Sequence, residues 1–150
     1  MKPNVILIGF DQIFNKKIGM YLADKLDMFF VDVEELIEYN LINSKEALLK
    51  CGRDYIEKEE RKTVRSVSEY ENTIASISYD IFLNNKHFFE GNNIKILLRP
   101  KKVNQVEKIA LEDRITLLLP DCDYYIDNYQ NVEDCFKAII SKIKGNRKWK

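Results

Sequence analysis

Cysteine, histidine, glycine and proline are all scarce in this sequence, and each scarcity removes a class of function. The three cysteines, Cys51, Cys122 and Cys135, are odd in number and lack the close spacing of a zinc or redox motif. They read as small core hydrophobes, Cys135 most clearly. A single histidine, His87, leaves His-ligated metals and Ser-His-Asp triads almost nothing to draw on, and it reads as an ordinary partly buried side chain. Five glycines and three prolines are too few for a Pro/Gly-rich linker. The longest apolar runs, such as Val5–Phe10 and Leu117–Leu119, fall far short of the roughly 18 residues that span a bilayer. Met1-Lys2-Pro3-Asn4 leads straight into a strand-like run with no signal-peptide cleavage region. An excess of one charge is missing too: Lys+Arg and Asp+Glu are both 24. That argues against a nucleic-acid or anionic-membrane partner, whose affinity rests on a basic surplus. The expectation is a reduced, cytoplasmic, soluble domain.

What is present builds one domain over residues 1–150. A chain of this length buries about 68–70% of its unfolded surface, and 45% hydrophobic with 11% aromatic residues supplies the core. Asn4–Gly9 is a continuous β-branched run, as expected of a strand buried on both faces. Ile18, Leu22 and Leu26 mark an amphipathic helix over about 15–27. Met28–Asp32 reads as a strand, Val33–Asn40 as a helix, and Ser44–Cys51 as a helix opened by Ser44. Arg53–Glu69 is a charged helix with Ile56, Val64 and Val67 inward. A strand over Asn72–Ser78, a helix over Asp80–Glu90 ended by Gly91, and a strand over Ile94–Leu98 follow. Val103–Leu111 reads as a helix and Tyr124–Asp127 as a last strand. The closing helix begins after Asn131, with Asp134 three residues on. Strands alternating with helices imply parallel βαβ units, hence a three-layer α/β/α sandwich on a five-stranded parallel sheet. The basic tail around Trp149 reads as a frayed terminus.

Ligands in such folds sit at the carboxyl ends of the strands, so the turn after the first strand carries the chemistry. A phosphate-binding loop there requires G-x-x-x-x-G-K-[ST]: glycines for a backbone cradle, a lysine for the phosphates, a hydroxyl for magnesium. The turn here reads Gly9-Phe10-Asp11-Gln12-Ile13-Phe14-Asn15-Lys16. The first glycine is kept. Phe14 holds the second glycine slot, Asn15 the lysine slot and Lys16 the hydroxyl slot. Asp11 or Asn15 is expected to cap the first helix from within, leaving no open anion nest.

Leu7-Ile8-Gly9-Phe10, Ile18-Gly19 and Phe30-Val31-Asp32-Val33-Glu34-Glu35-Leu36-Ile37-Glu38 resemble shikimate kinase, a P-loop family. Asp123–Asp127 and the last helix resemble that family's final strand and helix. The resemblance implies that Asp32 matches an acidic residue organising magnesium and a substrate hydroxyl. Glu34 falls on a substrate-binding aspartate, and Arg114 on an arginine holding the substrate carboxylate. A second substrate arginine falls on Glu57, a charge reversal, and a glycine-rich turn on Ser76-Ile77-Ser78-Tyr79. The segment between Pro100 and Leu111 is too short for the family's mobile lid. Read plainly, Asp32 and Glu34 are first-turn carboxylates complementing a helix dipole, and Arg114 is a surface ion-pair partner.

The framework is therefore expected without the chemistry. The residues predict a catalytically degenerate domain that binds a protein partner or a small ligand, with no cofactor and no metal. Asp32, Glu34 and Arg114 would then be vestigial substrate residues. The alternative is an active shikimate kinase, or a related ATP- and magnesium-dependent kinase, working through an atypical loop.

Overall fold

The computed structural model describes residues 2–42 and 45–149. Its centre is a five-stranded, wholly parallel sheet in the order β2-β3-β1-β4-β5. The strands are β1 (Asn4–Gly9), β2 (Phe29–Asp32), β3 (Thr73–Ser78), β4 (Asn93–Leu98) and β5 (Tyr124–Ile126). Six helices connect and cover them: α1 (Gln12–Leu26), α2 (Val33–Ile42), α3 (Lys45–Ser68), α4 (Tyr79–Asn85), α5 (Gln105–Leu118) and α6 (Val132–Lys144).

Alternation along the buried strands divides the core in two. Val5 and Leu7 of β1, with Ile74, Ile94, Ile96 and Leu98, face α1 and α6 through Ile18, Leu22, Cys135, Ile139 and Ile143. Ile6, Ile8, Ala75, Ile77 and Leu97 face α2 to α5 through Ile37, Val64, Val67, Phe82, Leu111, Ile115 and Leu118. This is the three-layer sandwich that the strand–helix alternation predicts. Among the described residues no helix is long and apolar enough to cross a membrane.

Local chemistry sets several boundaries. The Asn131 side chain accepts from Asp134 N–H at 2.8 Å and opens α6 as the spacing predicts. Helix α1 begins at Gln12, not near residue 15, because Asp11 Oδ1 accepts from Phe14 N–H at 3.2 Å and caps it early. Helix α5 runs to Leu118, past the expected Leu111, because Ile115 and Leu118 extend its buried stripe. Helix α4 stops at Asn85, and a 3-10 turn over Lys86–Phe89 replaces its expected second half, placing Phe89 in the core. Gly52, at φ 63° and ψ −146°, interrupts α3 with a left-handed backbone that suits glycine. Ser44, the expected cap of this helix, lies outside the described residues.

Two side-chain expectations change. His87 is exposed, tilted against the Phe88 ring. The C-terminal segment is docked, not frayed: Trp149 packs against the α1/α6 core under Lys2, and Lys148 Nζ donates to the carbonyls of Gly91 and Asn93, each at 3.0 Å. Those partners are distant in sequence, so a local reading of the tail could not supply them.

Gly19 gives a test of the packing around β2. A Cβ there would overlap the Phe30 ring, so the missing side chain is what lets α1 approach the sheet edge. Gly19→Ala should destabilise the protein by about 1–3 kcal/mol, despite a helix-propensity gain of up to about 1 kcal/mol. In a Phe30→Leu background the same change should become neutral or stabilising. Urea unfolding of the four variants measures this, and a stabilised single Gly19→Ala variant would contradict the contact.

Candidate functional site

Strand order reverses beside β1, so the crevice of this sheet opens over the carboxyl ends of β1, β2, β3 and β4. Gly9, Asp32, Ser78 and Leu98 end those strands. The functional residues suggested by the sequence are gathered here, in three groups.

The first is the turn after β1. The early start of α1 puts Phe14, Asn15 and Lys16 in helix instead of in an open loop. Asn15 is buried, and its side chain folds back over Gly9, in the space a Cβ on Gly9 would enter. With the amide oriented to satisfy both neighbours, Nδ2 donates to the Asp11 carbonyl at 3.2 Å and Oδ1 accepts from Gly9 N–H at 3.1 Å. Phe14 stacks on Tyr129, ring centroids 5.0 Å apart, as part of the packing of α1. The backbone N–H of Gly9 and of Phe14 are thus answered from within the chain, by Asn15 and Asp11. Lys16 pairs with Glu35 of α2, and the hydrogen bond to that carboxylate is the main cause raising its pKa; Asp32 adds to it.

The second group is acidic. Asp32 is 5% exposed, and its Oδ1 accepts from the N–H of Glu34 at 3.1 Å and of Glu35 at 3.4 Å. It therefore caps α2 from the end of β2, one residue before the first turn in which the plain reading puts it. Burial pushes its pKa up, and Oδ2 has no hydrogen-bond partner. Glu34 is half-buried, and its pKa is pushed up to about 7, first by burial and then by Asp32, Asp80 and Glu38. Glu60 of α3 is raised by burial, by Asp80 and by Glu57. Glu57 itself pairs with Arg53 one helical turn away at 3.4 Å. Sequence reading found Asp32, Glu34 and Glu57 but missed Asp80 and Glu60, whose approach depends on how α3 and α4 pack. Among the described residues no group of three or more His, Cys, Asp or Glu side chains is arranged to hold a metal ion.

The third group lines an open cleft of about 780 Å³ between the β1 turn and α5. Arg114 lies in its wall, with its guanidinium 4.9 Å from the centroid of the Tyr79 ring, which in turn stacks on Phe10 at 4.8 Å. The surface ion pair expected of Arg114 does not form with any described residue. Ile13 of α1 and Val106 of α5 also line it, 72% and 90% exposed. Residues 99–104 alone join β4 to α5, and Arg99 holds this join, bonding Glu112 of α5 at 2.6 Å and Tyr125 of β5 at 3.3 Å.

Glu34 makes the acidic group measurable. Its folded-state pKa lies above the ordinary value of 4.5, so its protonated form stabilises the fold at low pH, and that stability is lost as pH rises through about 7. After allowance for solvent screening the effect is on the order of 1 kcal/mol. Glu34→Gln should therefore raise Tm by about 2–4 °C at pH 8 and leave it nearly unchanged at pH 5. Equal shifts at both pH values in thermal unfolding would count against the acidic surroundings.

The family model described as shikimate kinase matches residues 16–139. A shikimate kinase from Sulfurihydrogenibium sp. (strain YO3AOP1) is 30% identical over 97% of this chain and 89% of that protein. One from Clostridium botulinum (strain Eklund 17B / Type B) is 27% identical, also over 97% and 89%. In fold, the shikimate kinase from Acinetobacter baumannii, solved in complex with shikimate, superposes with a TM-score of 0.73 at 18% identity, covering 98% of this chain and 96% of that one. These matches run through both halves of the sheet and through Asp32, Glu34 and Arg114. The chain belongs to the shikimate kinase family.

Proposed function

We propose that this family member binds a ligand in the crevice over its sheet without transferring a phosphoryl group. The observation that carries this reading is the turn after β1. Asn15 fills the space over Gly9 and takes its N–H, Asp11 takes the N–H of Phe14, and α1 begins three residues before the lysine slot. Phosphoryl transfer depends on positioning and on charge stabilisation, and both come chiefly from that turn. The residues present do not fit a nucleotide triphosphate there: the Asp11 carboxylate would repel it, and Lys16 is engaged with Glu35. The matched span of the family model also begins at Lys16, the last residue of the altered turn. The cleft beside Arg114 supports a small-molecule ligand over a protein partner, since it is concave and carries both an aromatic stack and a cation.

A second reading has its own support. Both curated relatives are named shikimate kinase, and kinship by itself favours an active ATP- and magnesium-dependent enzyme with an atypical loop over a degenerate one. The sequence resemblance assigns Asp32 and Arg114 the substrate positions that this reading needs.

One assay separates the two. Purified protein with ATP, magnesium and shikimate should release no ADP above background in a coupled assay. Steady turnover that is lost in Asp32→Ala would establish the kinase and end the first reading.

A further inference from the structure

Part of the lining of the cleft between the β1 turn and α5 belongs to the core. Phe10 and Tyr79 stack with their ring centroids 4.8 Å apart and their planes 25° apart. Both pack against the buried cluster that includes Leu111, which itself lines the cleft. Rings backed in this way are held in place before a ligand arrives, so binding loses little of their freedom. Ile13 and Val106 add aliphatic surface to the same lining, and most of it is open to solvent. Such surface is removed from water only when something covers it.

The charges of this cleft are few and unevenly committed. The Asp11 carboxylate already accepts from Phe14 N–H. Arg114 holds its guanidinium 4.9 Å from the Tyr79 centroid, and no described carboxylate pairs with it. Among the described residues the other carboxylate of the lining is Glu107. It precedes Arg114 by two turns of α5, about 10 Å along the axis. An anionic group is therefore drawn to the Arg114 end and repelled from the Glu107 end. A guanidinium takes a carboxylate through two parallel hydrogen bonds, which fix orientation as well as affinity.

The surface beside Arg114 decides what the rest of the ligand is. A hydroxylated ring needs a donor or acceptor for each hydroxyl, and each one left unpaired weakens binding. Asp32 and Glu34 are not among the residues that line the cleft. Two aromatic rings and the buried Leu111 stand there in their place. We infer that this cleft binds a flat aromatic carboxylic acid, its ring against Phe10 and Tyr79 and its carboxylate on Arg114. The inference rests on the reading of the crevice as a ligand site without phosphoryl transfer, and it names the ligand's class: an aromatic acid, not a hydroxylated one.

Calorimetric titration of the full chain with cinnamate at low ionic strength tests this. Three comparison probes divide the claim: cinnamyl alcohol lacks the charge, cyclohexylacrylate lacks the aromatic ring, and shikimate carries hydroxyls. Cinnamate should bind with a Kd below about 1 mM, within reach of a ligand of its size. The alcohol and shikimate should each bind at least about tenfold more weakly, and the saturated acid at least about threefold. Arg114→Gln should weaken cinnamate at least about tenfold and leave the alcohol unchanged. Tyr79→Leu should remove the preference for cinnamate over the saturated acid. Lys17→Gln, which removes an exposed cation of α1 outside the cleft, should change nothing. Thermal unfolding shows which variants are folded, and the comparison with the saturated acid needs only the native chain. Absence of cinnamate binding would overturn the inference, as would equal affinity for the alcohol, equal affinity of Arg114→Gln, or tighter binding of shikimate. Turnover of shikimate with ATP would overturn the reading beneath the inference and the inference with it. A chain that turns over nothing and binds no cinnamate overturns the inference alone.

Discussion

The hydrogen bond from Phe14 N–H to the Asp11 carboxylate sets the character of this molecule. By capping the helix so soon after β1, it brings Asn15 onto the inner side of the first turn, where the amide closes over Gly9. Phe14 then faces Tyr129, and Lys16 faces Glu35. A helix N-terminus must satisfy its first N–H groups somehow, with a ligand or with its own side chains. Here the chain answers the N–H of Phe14 itself, with the Asp11 carboxylate.

The same economy does not extend to the next strand ends. Asp32 caps α2 with one oxygen and leaves the other alone, and Glu34 is held beside Asp80 and Glu38. The crevice thus has a turn at β1 partly answered by its own side chains and, at the end of β2, a buried carboxylate with one oxygen left without a partner. Arg114 lies against the ring of Tyr79, at the start of α4. Charge separation of this kind survives in a folded domain because the rigid sheet fixes both ends, and because the core beneath is large enough to carry the cost.

Much of this was legible in the residues. The run Val5–Ile8 announced a doubly buried strand, and Asn131 with Asp134 announced the start of α6, because each signal is contained within a few neighbouring positions. The altered turn was legible for the same reason: Phe14, Asn15 and Lys16 stand visibly in slots that need other side chains. Where the signal was tertiary, the sequence was silent. Nothing local tells that Trp149 will dock against the α1/α6 core, that Asp80 will face Glu34, or that Arg114 will lie over Tyr79. The end of α5 was misplaced because its moment is weak: Val106 and Ile109 are apolar yet exposed, which blurs the stripe formed by Leu111, Ile115 and Leu118.

The edges of the sheet carry a consequence of another kind. An outer strand offers unpaired N–H and C=O groups to any passing chain, and long flat edges invite aggregation. Strands β2 and β5 bound this sheet with four and three residues. Each pairs along its inner side, with β3 and β4 respectively. Strand β2 carries the exposed Phe29, which would otherwise be a sticky site, but ends at once in the acidic start of α2. An incoming strand would gain only a few hydrogen bonds before meeting Glu34 and Glu35. The carboxylates that crowd the crevice therefore also guard its flank, giving a chain of zero net charge a local repulsion against copies of itself.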